Sequence, residues 1–423
     1  MKNPGHWKNK RICIIGLARS GLACASLLSE LGAYVSVTDN QRNHATVTNA
    51  AYLKSQKNIK VELGQHSPEF IKGHDLIIVS PGVPDSASPV IWAKQFGIPL
   101  ISEIELAGSL CPATVIAVTG TNGKTTVTTL IGKILEAKGK KVFVCGNIGT
   151  PFSQEVPGMS DSDFVSLEVS SFQLEKIVTF KPKIAVILNF SHNHLDRYKD
   201  MTEYLEAKKR IFMNQNGSDY LVLNLEDPQV KELGQNTPAK VIYFSAKEGL
   251  NPNQAAVLAA GSLLGIEREL CLRTFKEFKG VEHRLELVAE IGGIKFINDS
   301  KATTVDSTIW ALENLAQPVI LIAGGREKGN DYKLISGLMQ KKVKELILIG
   351  EAKEKIKAAL GDILAVQEAV SLKEAVSKAY SKATKGCCVL FSPMCKSFDM
   401  FSDYEHRGRS FKQAVYALTK NGV

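Results

Sequence analysis

The chain has no CxxC pair, no fixed-period repeat, no low-complexity tract and no uninterrupted run of about 20 apolar residues. Each absence closes off a class of protein. Without the long apolar run, a membrane span is not expected. Cys13, Cys24, Cys111, Cys145, Cys271, Cys387, Cys388 and Cys395 lie mostly in apolar, strand-like stretches and read as buried free thiols. That usage fits a reducing cytoplasm better than a secreted disulfide scaffold. The net charge is +9, yet no basic stripe is interleaved with aromatics, so nucleic acid is not expected and anionic ligands such as nucleotides are favoured. The densest basic patches, Lys341, Lys342 and Lys344, then Lys353, Lys355 and Lys357, read as solvated faces of helix-like segments.

What is present describes a globular protein, with 44% hydrophobic and 22% charged residues. At 423 residues the chain is too long for one ordinary core, and about 150 residues per domain suggests three. Residues 1–11 followed by an apolar run have the outline of a signal peptide. Arg19 and Ser20 break that run, so it reads as a first strand.

Short β-like runs alternate with helix-like segments at Arg11 to Gly16, Tyr34 to Thr38, Asp75 to Ser80, Thr114 to Thr119, Val142 to Cys145, Phe164 to Val169, Ile184 to Asn189 and Tyr220 to Asn224. A helical stretch, Ala255 to Lys279, is followed by further runs at Lys295 to Asn298, Val319 to Ala323, Glu345 to Ile349 and Cys388 to Ser392. This alternation predicts an α/β protein with mainly parallel sheets. The expected domains are 1–105, 106–280 and 281–423.

The strongest motif is Thr119-Gly120-Thr121-Asn122-Gly123-Lys124-Thr125-Thr126, between an apolar strand and the amphipathic segment Val127 to Ala137. Backbone N–H groups of such a loop cradle phosphates, its lysine reaches the β/γ-phosphates and its hydroxyl ligates Mg²⁺. The strict spacing would put the first glycine at 118, where the chain has Val118, so the loop is a compact P-loop variant. Glu168, at the end of a strand, is placed to hold Mg²⁺ directly or through water, with an ordinary strand-end acid as an even alternative. Asn189-Phe190-Ser191-His192-Asn193-His194-Leu195-Asp196 follows the next strand at the edge where open α/β sheets bind ligands, which gives weight to His194 and Asp196.

Lys208, Lys209 and Arg210, on the helix-like stretch Met201 to Phe212, read by themselves as a solvated face. Asn298-Asp299-Ser300-Lys301-Ala302-Thr303 is a polar turn suited to a ligand, with an Asx turn or helix cap as the alternative. Gly324 to Gly329 offers backbone N–H groups and Lys328 to an anion, or is an ordinary glycine-rich turn. Gly16-Leu17-Ala18-Arg19-Ser20-Gly21, with Asp39 after the second strand, is close to a dinucleotide fingerprint. It lacks the glycine that admits a pyrophosphate.

Taken in order, GTNGKTT, CGNIG (145–149), LEVSSFQL (167–174), HLDRY (194–198), the Lys208 segment, EHR (282–284), NDSKATT (298–304), AGGREKG and SPMCKSFDMF (392–401) resemble the Mur ligases of peptidoglycan synthesis over nearly the whole chain. The GLARSG opening, TDN at 38–40, SPGV at 80–83 and SSFQL look like the branch that adds D-glutamate to UDP-N-acetylmuramoyl-L-alanine. The resemblance implies an N-terminal Rossmann-like domain for the UDP moiety, a central P-loop ATPase domain and a C-terminal dehydrogenase-like α/β domain that closes over the site. The N-terminal motif would then hold uridine rather than NAD, which suits Ala18.

Carried over residue by residue, Gly120, Thr121, Asn122, Gly123, Lys124, Thr125 and Thr126 would bind ATP, with Arg284 and Asp299 also on the nucleotide. Thr125, Glu168, His194 and Lys208, the last carbamylated by CO₂, would hold two Mg²⁺ ions, and Lys124, His194 and Lys208 would be the catalytic residues. Ser20, Asp39, Asn40, Ser80, Gly82 and Asn147 would contact the UDP substrate, and Thr303, Lys328, Ser397 and Phe398 the D-glutamate. Asn251 to Gln254 fits the adenine-side motif of the family only loosely.

The implied reaction is amide synthesis through an acyl phosphate. The expected partners are these small molecules, without nucleic acid or membrane span, and the expected state is a cytoplasmic monomer. Competing expectations are a Mur or folylpolyglutamate-type ligase with another acceptor, a nucleotide-switch ATPase and an NAD-dependent dehydrogenase.

Overall fold

A computed structural model describes all residues except 1, 192–196, 236, 248, 328 and 421–423. The described chain divides into two compact units, Met1–Phe278 and Lys279–Val423. Three sheets run through them.

The first sheet comprises β1 (Arg11–Ile15), β2 (Tyr34–Asp39), β3 (Ile59–Leu63), β4 (Leu76–Val79) and β5 (Leu100–Ser102), in the order β3-β2-β1-β4-β5. The second comprises β6 (Thr114–Thr119), β7 (Val142–Gly146), β8 (Phe164–Glu168), β9 (Ile184–Ile187), β10 (Tyr220–Asn224) and β11 (Lys240–Phe244), ordered β11-β10-β9-β6-β8-β7. Both are parallel throughout. Helical crossovers cover their faces, which is why central strands such as Thr114–Thr119 are buried along most of their length rather than alternating.

One hydrophobic cluster runs from Trp7, just before the first sheet, and Ile12 within it to Leu221 in the second sheet and Val230 on the helix Pro228–Glu232, so the two sheets share a core. Glu105, on the helix Glu103–Leu110 after β5, reinforces the join by accepting the N–H groups of Val178, Thr179 and Phe180 at 2.8, 2.8 and 2.9 Å.

The second unit holds β12 (Glu286–Ile291), β13 (Ile294–Asn298), β14 (Val319–Gly324), β15 (Val343–Ile349), β16 (Ala365–Glu368) and β17 (Cys388–Phe391), ordered β12-β13-β17-β14-β15-β16. This sheet is parallel except for the antiparallel hairpin of β12 with β13.

All eight cysteines are buried and free. Among the described residues, no helix is long and apolar enough to cross a membrane. The helical stretch expected from Ala255 to Lys279 consists of two helices, Pro252–Leu263 and Arg268–Glu277, with Gly265 at a positive φ of 67° between them. Lys344 was expected on a solvated helix face but belongs to β15, where its Nζ approaches the Cys387 sulfur at 3.8 Å.

Candidate active site

β6 lies in the middle of the second sheet, and the turn after it begins the helix Lys124–Ala137. Val118, at the position of the missing glycine, is a fully buried strand residue paired with Glu168 and Val186. The turn therefore starts two residues later, at Gly120, whose φ of 152° is closed to most side chains. Gly123 caps the helix in the left-handed region, and a Cβ there would run into Asn253 Oδ1. Asn189, just past β9, grips the loop from the side. Its Oδ1 accepts the Asn122 N–H at 2.8 Å and its Nδ2 donates to the Asn122 carbonyl at 3.1 Å.

Two lysine side chains converge on one carbonyl. Lys124 Nζ donates to Gly120 O at 3.0 Å and Thr121 O at 2.9 Å. Lys208 Nζ reaches the same Gly120 O at 2.9 Å and lies 4.5 Å from the centre of the Tyr204 ring. Lys208 is buried, which overturns the reading of its helix as a solvated face. Burial first, and then the neighbouring Lys124 charge, push its amine well below the ordinary lysine range. Its neighbours behave otherwise: Lys209 pairs with Glu206 at 2.7 Å, and Arg210 Nε donates to Leu174 O at 2.8 Å.

On the other side of the loop, Glu168 closes β8 in a buried position, and its Oε1 accepts Asn147 Nδ2 at 2.7 Å. Thr125 is buried in the first turn of the P-loop helix. A hydroxyl, a carboxylate and a buried amine thus border the turn after β6. Hydroxyl and carboxylate oxygens are the donors that Mg²⁺ selects, so the residues fit that ion.

At the end of β1 the glycine fingerprint shapes the backbone. Gly16 has φ 98°, and a Cβ at Gly21 would strike Gly16 O. Asp39 accepts Leu17 N–H at 2.7 Å through Oδ2 and Gln41 N–H at 2.8 Å through Oδ1. Ser80 donates from its backbone to Ile15 O at 3.0 Å and from its hydroxyl to Gly16 O at 3.2 Å. Asp39 and Ser80 therefore gather at one mouth, with Asn40 and Gly82 exposed beside them and Ser20 in the first turn of the helix Arg19–Glu30. Arg19 Nη1 reaches Gly149 O at 3.4 Å, linking this mouth to the loop that carries Asn147.

In the second unit, adjacent β13, β17 and β14 end in the three polar loops. Asp299 is fully buried. Its Oδ2 accepts the Ser392 hydroxyl at 2.9 Å, its Oδ1 accepts Leu285 N–H at 3.3 Å, and Arg284 Nη1 stands 4.0 Å away. Burial outweighs the Arg284 charge and raises this carboxyl to about 6. Both bland readings of the NDSKATT turn are also realised, since Asn298 Oδ1 accepts Ser300 N–H at 3.2 Å and Thr304 caps the helix Val305–Glu313. Thr303 is half-buried, Ser397 buried and Phe398 exposed, and Met394 N–H donates to Ala302 O at 3.0 Å between the two loops.

His194 and Lys328 lie outside the described residues, as does Asp196. Asn251 is occupied as a helix cap, exchanging hydrogen bonds with Gln254 at 3.0 and 3.1 Å, so Asn253 is the asparagine that meets the P-loop. Sequence reasoning passed over Asn189, Tyr204 and Arg407. Asn189 at a strand end was the one legible signal, because Arg407 and Tyr204 sit in helices rich in charge.

Arg407 is buried beneath the loops of the second unit. It donates to Ser300 Oγ at 3.1 Å, Ser300 O at 2.7 Å and Cys395 O at 3.0 Å.

Residues 10–102 match the MurD-like N-terminal domain of Mur ligases, 118–270 the Mur ligase middle domain and 283–395 the Mur ligase glutamate ligase domain. The chain is 41% identical to the UDP-N-acetylmuramoylalanine–D-glutamate ligase of Geotalea daltonii, covering 97% of this chain and 98% of that one. It is 40% identical to the enzyme of the same description from Caldanaerobacter subterraneus, over 98% and 99% of the two chains. Among solved structures, the UDP-N-acetylmuramate-alanine ligase of Thermotoga maritima shares the fold, with a TM-score of 0.61 at 20% identity over 97% of this chain and 100% of that one.

Proposed function

The chain belongs to the Mur ligase family, in the branch whose members are UDP-N-acetylmuramoylalanine–D-glutamate ligases, and we propose that it carries out this ATP-dependent amide synthesis through an acyl phosphate. The observation that carries the mechanism is the convergence of Lys124 and Lys208 on the Gly120 carbonyl, with buried Glu168 across the loop.

A carboxylate at neutral pH resists attack by an amine, so it must first gain a leaving group. The alanyl carboxylate oxygen attacks the γ-phosphorus of ATP, and ADP departs. Backbone N–H groups of Gly120 to Thr126 and the Lys124 ammonium hold the phosphates in line and offset the charge on the moving phosphoryl group. The nitrogen of D-glutamate then attacks the acyl carbon, phosphate leaves and the nitrogen gives up a proton. Arg284 and Asp299 are assigned to the nucleotide, and Thr303, Lys328, Ser397 and Phe398 to D-glutamate. Asp39, Asn40, Ser20, Ser80, Gly82 and Asn147 take the UDP substrate.

Thr125, Glu168 and a carbamate on Lys208 would hold Mg²⁺, with His194 completing the set. The ion, when bound, supplies Lewis-acid stabilisation of the phosphate charge. Carbamate formation needs an unprotonated amine, and the burial of Lys208 favours that form. It also converts a cation into the anionic oxygen donor that such an ion requires. The reaction is assigned to the cytoplasm and to a monomer.

The test is phosphate release with ATP and UDP-N-acetylmuramoyl-L-alanine against D-glutamate, L-glutamate, L-alanine and diaminopimelate. D-glutamate should support the fastest turnover. Preference for another amino acid would remove the acceptor assignment and leave the ligase chemistry.

A further inference from the structure

The loop after β4 carries Ser80 and Gly82, and two of its carbonyls are held from the second sheet. Arg197 Nη1 donates to Pro81 O at 2.8 Å, and Nη2 reaches Val83 O at 3.4 Å. Nη2 also donates to Glu175 Oε2 at 2.7 Å, while the guanidinium stacks 4.2 Å above the Phe172 ring. Glu175 is fixed in turn by the Tyr198 hydroxyl at 2.7 Å. Tyr198 packs on Phe172 and on Tyr204, with ring centres 5.8 and 5.2 Å apart, and the Tyr204 ring is the one beneath Lys208 Nζ.

One planar fork thus connects the mouth of the first sheet to the residues around the P-loop. Only an arginine can span two carbonyls and a carboxylate while lying flat on an aromatic ring. A lysine would offer a point charge and satisfy fewer of these partners.

We propose that Arg197 is a positioning residue for the nucleotide-sugar substrate, fixing the 80–83 loop so that the substrate's carboxylate arrives in line with the P-loop. The assignment rests on the reading of that mouth as the UDP pocket. A substrate anchored at one sheet and reacting at another is sensitive to their registration, and a displacement of about 1 Å costs roughly 100-fold in rate.

The experiment compares the wild-type chain with Arg197→Met and Arg197→Lys in steady-state kinetics, varying each of the three substrates. For Arg197→Met, kcat/KM for UDP-N-acetylmuramoyl-L-alanine should fall roughly 10- to 100-fold, while the KM values for ATP and D-glutamate stay within about two-fold. Arg197→Lys should fall between the two and carries the test if the Met variant does not fold. KM values for ATP and D-glutamate that rise as much as that for the UDP substrate, or no loss at all, overturn the assignment. A wild-type chain that forms no amide overturns the ligase reading instead.

Discussion

Among the described residues each compact unit buries one long cationic side chain under its ligand loops, and the two solve the problem of burial in opposite ways. Lys208 Nζ donates to the carbonyl of Gly120 over the Tyr204 ring, beside another lysine. Arg407 distributes its charge over Ser300 Oγ, Ser300 O and Cys395 O. Burial lowers both, but Arg407 falls only to about 10 and stays charged at neutral pH, whereas Lys208 falls well below the ordinary lysine range. A guanidinium keeps its proton and serves as a fixed brace. A lysine amine in the same situation gives up its proton more readily, which favours the nucleophilic form that carbamylation requires.

The largest expected effect breaks the comparison at Lys208. Lys208→Ala should lose roughly 1,000-fold or more in kcat, because a charge-stabilising group is removed from the transition state. Added short carboxylic acids should restore part of the rate; full activity in the unrescued variant would refute a carbamate. Stability should move the other way. The unfolded chain binds a proton at Lys208 that the folded chain gives up, so the cost of burial is present at neutral pH and fades as pH rises toward 10.5. In CO₂-free buffer, Lys208→Met should melt higher than wild type at pH 7 and lose that advantage near pH 10.

Arg407 tests the brace. Arg407→Met keeps much of the side-chain volume but strands the Ser300 and Cys395 carbonyls, each worth about 1–3 kcal/mol when left unsatisfied in the interior. Denaturant melts should show that loss. The KM for D-glutamate should rise roughly ten-fold as the two loops lose their common anchor, with KM for the UDP substrate unchanged. A Met variant as stable as wild type would show that the loops hold themselves.

The same contrast marks what could be read without coordinates. Central strands such as Thr114–Thr119 and Cys388–Phe391 stood out because both faces are buried and their residues are nearly all apolar. The strands that were passed over, β3, β5, β11, β12 and β16, are all sheet edges. IKVEL, ELVAEI and AVQE mix charge or amide with apolar residues, as half-exposed strands do, and β5 has only three residues. The P-loop was legible because its chemistry is local. The burial of Lys208 and Arg407 is not local. Each lies in a helix of mixed charge, and only tertiary packing decides which charged residue turns inward.

The smallest predicted effect concerns a buried acid in place of a buried base. Asp299 lies in the second unit with its carboxyl raised to about 6, because desolvation exceeds what Arg284 and Ser392 return. Between the ordinary aspartate value near 3.8 and that raised value, the folded chain holds a proton that the unfolded chain has lost. Stability must therefore fall as pH climbs through this window, by about 1.4 kcal/mol for each unit of separation. Asp299→Asn removes the ionisation and keeps the shape. Its melting temperature relative to wild type should rise between pH 4 and pH 7 and then level off. A difference that stays flat over that range would mean that Arg284 compensates the buried carboxylate fully, which would set Asp299 apart from both buried cations.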